Sequence, residues 1–347
     1  MRALTVIPGR EGSLRVEERS DPEPAPGELL VDGLAVGVCG TDREIVTGGH
    51  GSAPPGGERL LLGHESLGTV RYAPQGSGFV PGELVVGMVR RPDPVPCGAC
   101  AHGCMDMCRN GRYTEHGIKE RDGFAAERYR LEPGFAVRVD PALGRLGVLL
   151  EPASVLAKAW EHAERIGRRA HWEPRTLLVT GAGPIGLLAA MMGRQRGLEV
   201  HVLDRVADGP KPALVRDLGA TYHAVPLAEL ALRPDVVMEC TGAPSVVFDA
   251  LDRTAPAGVV CLTGVSSAGR SVPIDLGLLN RTIVLENDVV FGSVNANRRH
   301  YEAAAQALAA ADPAWLARLV TRRVPLDRWA EALAPRADDV KTVLDLA

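Results

Sequence analysis

Residues 176–196 read TLLVTGAGPIGLLAAMMGRQR, and this stretch decides the fold. Thr176 to Thr180 is a short apolar run of the kind that forms a buried strand, and Ile185 to Arg196 has the length and composition of a helix. Between them stand Gly181, Gly183, Pro184, Ile185 and Gly186. In a turn from strand to helix the first glycine permits the tight bend, the second lets backbone approach a pyrophosphate, and the third allows the helix to pack closely on the strand. The helix N-terminus then presents unpaired N–H groups and the positive end of its dipole to phosphate.

Working outward, Glu199 to Leu203 (EVHVL) reads as a second strand, and Asp204 follows it, 23 residues after Gly181. A carboxylate there can hydrogen-bond a ribose 2′-OH and would repel a 2′-phosphate, which favours NAD. Arg205 beside it and Lys211 a turn later are the cations a 2′-phosphate would need, so NADP stays open. Further strands are expected at DVVMEC (235–240) and VVCL (259–262), with a helix over 212–218 between EVHVL and the first of them. Strands alternating with helices imply a parallel, doubly wound sheet of the Rossmann type.

Before residue 155 the texture differs. ELLVDGLAVGV, SLGTVRYA, GELVVGMV, AERYRL and FAVRVD are short strand-like runs broken by turn residues, which predicts a β-rich domain. After Asn295 come a helix in EAAAQALAAA and a last strand in KTVLDLA. The chain of 347 residues therefore reads as α/β with two domains, one formed by 1–155 with 296–347 and a Rossmann domain over 156–295.

With 24 % charged residues and a net charge of −4, the chain has no basic stripe of the kind nucleic acid requires. No run approaches the roughly 18 to 20 apolar residues that span a bilayer. The opening MRALTVIPGREG does not resemble a secretory signal, and a cytoplasmic location is expected. There, clustered cysteines hold metal more often than they form disulfides. Four do cluster: Cys97, Cys100, Cys104 and Cys108, in CGACAHGCMDMC. Four thiolates meet the tetrahedral demand of a closed structural zinc site, which leaves no position for substrate.

The motifs GVCGTD (37–42), GHES (63–66), GAGPIG (181–186) and the cysteine lobe, together with Glu151 in LLEPAS, occur in an order that resembles the zinc-dependent medium-chain dehydrogenase/reductase family. VCGTDREI, EHGIKERDGF, LLEPASVLAKA and VFGSVNANRRHYEAA narrow the resemblance to its glucose 1-dehydrogenase branch. It implies a chaperonin-10-like, β-rich catalytic domain beside the Rossmann domain, and a homo-oligomer, dimer or tetramer. A catalytic zinc would be held by Cys39, His64 and Glu151, with Glu65 as an additional or alternating ligand. Three protein ligands with one open position is the geometry catalysis requires. Thr41 would meet the substrate hydroxyl, Glu115 and Asn295 would bind sugar hydroxyls, with Glu151 beside the substrate, and Thr241 and Gly242 would line the nicotinamide side.

The resemblance also implies chemistry: oxidation of an aldose at C1 to its lactone, with hydride passing to NAD or NADP. A polyol, an aminocyclitol or a modified sugar would undergo the same chemistry, and a non-catalytic dinucleotide-binding protein is the third alternative. One departure stands out. The family's lobe usually runs Cys-x2-Cys-x2-Cys-x7-Cys, whereas this chain has Cys-x2-Cys-x3-Cys-x3-Cys. Either Cys104 is the third ligand of a contracted lobe, or the lobe has lost its usual third thiolate and keeps zinc weakly or not at all, with His102 as the substitute ligand to consider.

Overall fold

The computed structural model describes residues 1–266 and 272–346. It divides into two compact units: Met1–Ser154 with the chain from Asn295 onward, and Val155–Val294.

The second unit follows from the stretch quoted above. Among the described residues its sheet has six parallel strands in the order Thr221–His223, Glu199–Leu203, Thr176–Thr180, Val236–Glu239, Val259–Leu262, Val289–Gly292. Numbered along the chain, that is 3-2-1-4-5-6, the Rossmann order, with its switch point between Thr176–Thr180 and Val236–Glu239. Helix Pro184–Gln195 starts on Gly183 with Pro184 in its first turn and buries Gly186 to Gly193. Gly186 must be glycine here, because a Cβ at that position would stand 1.8 Å from the Gly181 carbonyl oxygen.

The first unit is β-rich, as its broken apolar runs predict. Its largest sheet, ordered Ala136–Arg138, Leu84–Gly87, Glu65–Tyr72, Leu29–Val38, Lys341–Asp345, Val320–Pro325, uses Leu29–Val38 as a spine that Arg128–Leu131 also pairs. On that spine Gly37 is in register with Glu65 and Val38 with Thr342. The end of one strand, the start of another and a distant late strand therefore meet at one place.

Several elements depart from sequence expectation. The helix expected in EAAAQALAAA begins earlier, at Arg298, where the Asn297 N–H donates to His300 Nδ1 at 3.1 Å across the first turn. The one expected over 212–218 likewise runs Pro210–Asp217, a proline occupying its first turn. Helix Leu276–Glu286 and strands Val289–Gly292 and Val320–Pro325 were not anticipated. The two strands are only four and six residues long, too short to show a clean period, and tertiary pairing fixes them instead.

Candidate active site

In the first unit, Cys39 ends the spine strand and caps the short helix Gly40–Val46. Its Sγ accepts from the Thr41 N–H at 3.2 Å, and its own N–H donates to Asp42 Oδ2 at 2.9 Å. Cys39 Sγ lies 3.2 Å from His64 Nε2, and the other ring nitrogen, Nδ1, lies 3.3 Å from Asp42 Oδ1. One ligand atom each from Cys39, His64 and Glu65 falls within 4.8 Å of the others. His64 and Glu65 are buried.

Gly37 makes room for this arrangement, since a Cβ there would sit 2.0 Å from Glu65 Oε2 and 2.8 Å from Lys341 Cε. Lys341, itself buried, pairs with Glu65 and donates to the Val38 carbonyl at 3.1 Å. Sequence reading missed this lysine. Glu151, 8 % exposed at the start of helix Leu150–Gly167, stands outside the grouping of Cys39, His64 and Glu65, but its charge is felt there. Burial, with the charge of Glu65, pushes its carboxyl up to about 7. Burial also works against a charged His64 imidazole, but Cys39 and Asp42 outweigh it and hold the ring well above its ordinary value.

A soft sulfur, an imidazole nitrogen and a carboxylate oxygen brought together in a buried, acid-rich place form the donor set that zinc takes. His64 presents Nε2 to that position while Asp42 faces Nδ1, the outer-shell arrangement that orients a ligating histidine. The residues fit a catalytic zinc.

The cysteine lobe is three-fold. Cys97, Cys100 and Cys108 converge within the same 4.8 Å limit, without Cys104, whose Sγ instead points at the His102 carbonyl from 3.8 Å. His102 is occupied too, its Nδ1 2.7 Å from Gly98 O. Backbone N–H groups of Arg109 and Cys100 bring the Cys97 thiol down to about 6, while burial and the adjacent thiols push Cys100 up to about 11. Three converging thiols fit zinc, and neither Cys104 nor His102 is joined to them.

Also in the first unit, Glu115 and Asn295 meet across a sequence separation of 180, with Asn295 Nδ2 donating to Glu115 Oε1 at 2.9 Å. Sequence reading missed the buried Arg90 that holds Glu115 from the opposite strand.

In the second unit, Gly181 N–H donates to the Leu203 carbonyl at 2.6 Å. Asp204 accepts from Ala182 N–H at 2.7 Å and Val206 N–H at 3.1 Å, with Lys211 Nζ 3.3 Å away. The carboxylate is thus tied to the glycine turn, and Arg205 is exposed beside it. Thr241 and Gly242 sit at the carboxyl end of the neighbouring strand. Their N–H groups donate to the fully buried Glu239 at 2.8 and 3.1 Å, another residue that sequence reading did not single out. Its signal was a carboxylate ending the apolar run DVVME.

The description "Glucose dehydrogenase C-terminus" matches residues 144–346, and "Alcohol dehydrogenase GroES-like domain" matches residues 25–141. The chain is 40 % identical to the glucose 1-dehydrogenase of Methanocella arvoryzae over 100 % of its length and 99 % of the relative's. It is 42 % identical to glucose 1-dehydrogenase 2 of Vulcanisaeta moutnovskia, with the same coverage. Among solved structures, Haloferax mediterranei glucose dehydrogenase in complex with NADP, Zn and gluconolactone superimposes with a TM-score of 0.93. The two are 33 % identical, and the match covers 100 % of this chain and 99 % of that one.

Proposed function

Because the chain belongs to the zinc-dependent medium-chain dehydrogenase/reductase family, in its glucose 1-dehydrogenase branch, we propose that it oxidises a glucose-like aldose at C1 to the lactone with NAD or NADP. The observation that carries this reading is the convergence of Cys39, His64 and Glu65 in the unit that also pairs Glu115 with Asn295. When bound, zinc supplies Lewis-acid polarisation of the C1 hydroxyl oxygen, and the nicotinamide ring supplies a hydride acceptor.

The chain's own residues do the rest. Cys39 and His64 would hold the metal, with Glu65 and Glu151 as the nearby carboxylates that would complete its ligand set. Thr41 hydrogen-bonds the C1 hydroxyl and passes its proton toward solvent. Glu115 and Asn295 hold ring hydroxyls and set which carbon is presented. In the second unit, Gly181, Gly183 and Gly186 open the turn to the pyrophosphate, and Pro184 and Ile185 begin the helix beneath it. Asp204, with Lys211 and Arg205 nearby, meets the adenosine ribose, and its position favours NAD. Thr241 and Gly242, fixed by Glu239, lie at the carboxyl end of the strand beside the switch point, where dinucleotides bind in such sheets.

Among the described residues no helix is long and apolar enough to cross a membrane, and a cytoplasmic location belongs to this reading. So does a homo-oligomer. Val289–Gly292 is a sheet edge, and Leu276, Leu278, Val284 and Leu285 near it in sequence are more than half exposed, a combination suited to pairing with a second copy.

Initial rates on a panel of aldoses and polyols with both dinucleotides, with zinc content measured on the same preparation, test the proposal. Turnover of glucose-type aldoses to lactone is expected. Turnover of polyols alone would move the reading to another alcohol, and no turnover with zinc bound would overturn it.

A further inference from the structure

Arg90 lies on the two-residue strand Arg90–Arg91, in antiparallel register with Glu115, so the two side chains share a face of the sheet. Its Nε and Nη2 both donate to Glu115 Oε1, at 3.0 and 2.9 Å, while Nη1 donates to the Asp106 carbonyl at 3.1 Å. The guanidinium lies over the Tyr113 ring, 3.7 Å from its centroid. With its charge paired, its plane stacked and only 5 % of it exposed, this arginine has one orientation.

The consequence falls on Glu115. Oε1 receives the two Arg90 donors and the Asn295 amide at 2.9 Å, which fills it. Oε2 bonds to no described residue, and it is not among the fully buried unpartnered atoms, so on this buried side chain it keeps some exposure to solvent. Asn295 is fixed as well. Its Oδ1 accepts from the Ala296 N–H at 2.7 Å, and one amide hydrogen goes to Glu115, which leaves the other without a partner among the described residues. The pair therefore offers one charged acceptor and one donor side by side, the complement of a hydroxyl, which donates to one and accepts from the other.

We propose that Arg90 is a positioning residue for sugar recognition. By filling Glu115 Oε1 it aims Oε2, together with the remaining Asn295 N–H, at a single ring hydroxyl, and the enzyme discriminates against sugars lacking that hydroxyl. Tyr113 supports Arg90 from the other face. The inference rests on the reading that Glu115 and Asn295 face the sugar.

The test is steady-state kinetics at saturating dinucleotide with glucose and its 2-deoxy, 3-deoxy and 4-deoxy analogues. Wild type, Arg90→Lys and Tyr113→Leu are compared, with thermal melting as the control for folding. Wild type should disfavour one analogue roughly 10- to 100-fold in kcat/KM, the range for a hydrogen bond to a charged group. Arg90→Lys should raise the glucose KM about tenfold or more, leave kcat within about twofold, and shrink that discrimination. Tyr113→Leu, at a half-buried position, should move both in the same direction by less. Native melting with unchanged KM and unchanged discrimination in both variants overturns the role of Arg90. If Arg90→Lys fails to melt cooperatively, Tyr113→Leu alone decides by the same criterion. No turnover of any aldose by wild type overturns the functional reading itself, a result distinct from an active enzyme indifferent to Arg90.

Discussion

The ammonium of Lys341 is paired with the carboxylate of Glu65, and the two side chains are 1 % and 3 % exposed. A buried ion pair is weak evidence of net stabilisation, but removing one member leaves a buried, uncompensated charge. Lys341→Met should therefore lower stability by about 3–5 kcal/mol, and adding Glu65→Gln should return much of the loss. Chemical denaturation of the four proteins checks it. Purely additive losses would mean that the two groups are not coupled.

Cys39 Sγ and His64 Nε2 are 3.2 Å apart and are the proposed core of the catalytic metal site. Cys39→Ser combined with His64→Ala should abolish turnover and reduce zinc from about two ions per chain to about one. NAD binding, which depends on the separate Rossmann unit, should be retained. In the lobe, Cys97→Ser or Cys108→Ser should release the second zinc. Cys104→Ser should not, since Cys104 stands apart from the three converging thiols. Zinc measured by elemental analysis on each variant separates these outcomes, and equal zinc loss from Cys104→Ser would place that sulfur among the ligands.

What was legible in the sequence was what short segments decide. GAGPIG lies between a strand and a helix that its own glycines join, and the cysteine density of CGACAHGCMDMC points to a metal lobe within one loop. Long-range pairing was not legible. Lys341 reaches Glu65 only because strand Lys341–Asp345 pairs with Leu29–Val38, and no local pattern announces a lysine bound for the interior. Arg90 reads as an ordinary surface cation until the register of a two-residue strand sets it opposite Glu115. The position of Cys104 was legible only as a spacing anomaly, because which thiols converge depends on how the contracted loop turns.

Asp204 accepts two backbone N–H groups and faces Lys211, so the carboxylate is held beside the glycine turn, the position from which we propose that it meets a ribose hydroxyl. Asp204→Ala should raise the KM for NAD roughly 10- to 100-fold. It should affect NADP less, since the repulsion of a 2′-phosphate disappears while Arg205 and Lys211 remain. Rates with both dinucleotides in wild type and variant give the ratio. A wild type that strongly prefers NADP would show that the two cations outweigh Asp204.

Behind Glu115 lies a second charged cluster with a definite pH signature. His116 is buried against Phe124, its Nδ1 2.6 Å from the Asp122 carbonyl, and its Nε2 accepts from Arg121 Nε at 2.9 Å. Burial and the charges of Arg91 and Arg121 hold the ring well below its ordinary 6.5, so it stays neutral in the fold. Near it, burial pushes the Glu132 carboxyl up, but the hydrogen bonds and charge of Arg91, with the charge of Arg121, prevail and bring it down to about 2. For His116 the unfolded chain binds the extra proton, so its contribution is complete above pH 6.5 and is lost as pH falls below that value. For Glu132 the contribution is complete above 4.5 and is lost between 4.5 and about 2. Denaturation midpoints followed from pH 8 down to 5 should fall more steeply in wild type than in His116→Phe, the two curves converging toward the acid end. Parallel curves would mean that His116 takes up its proton in the folded state as readily as in the unfolded one.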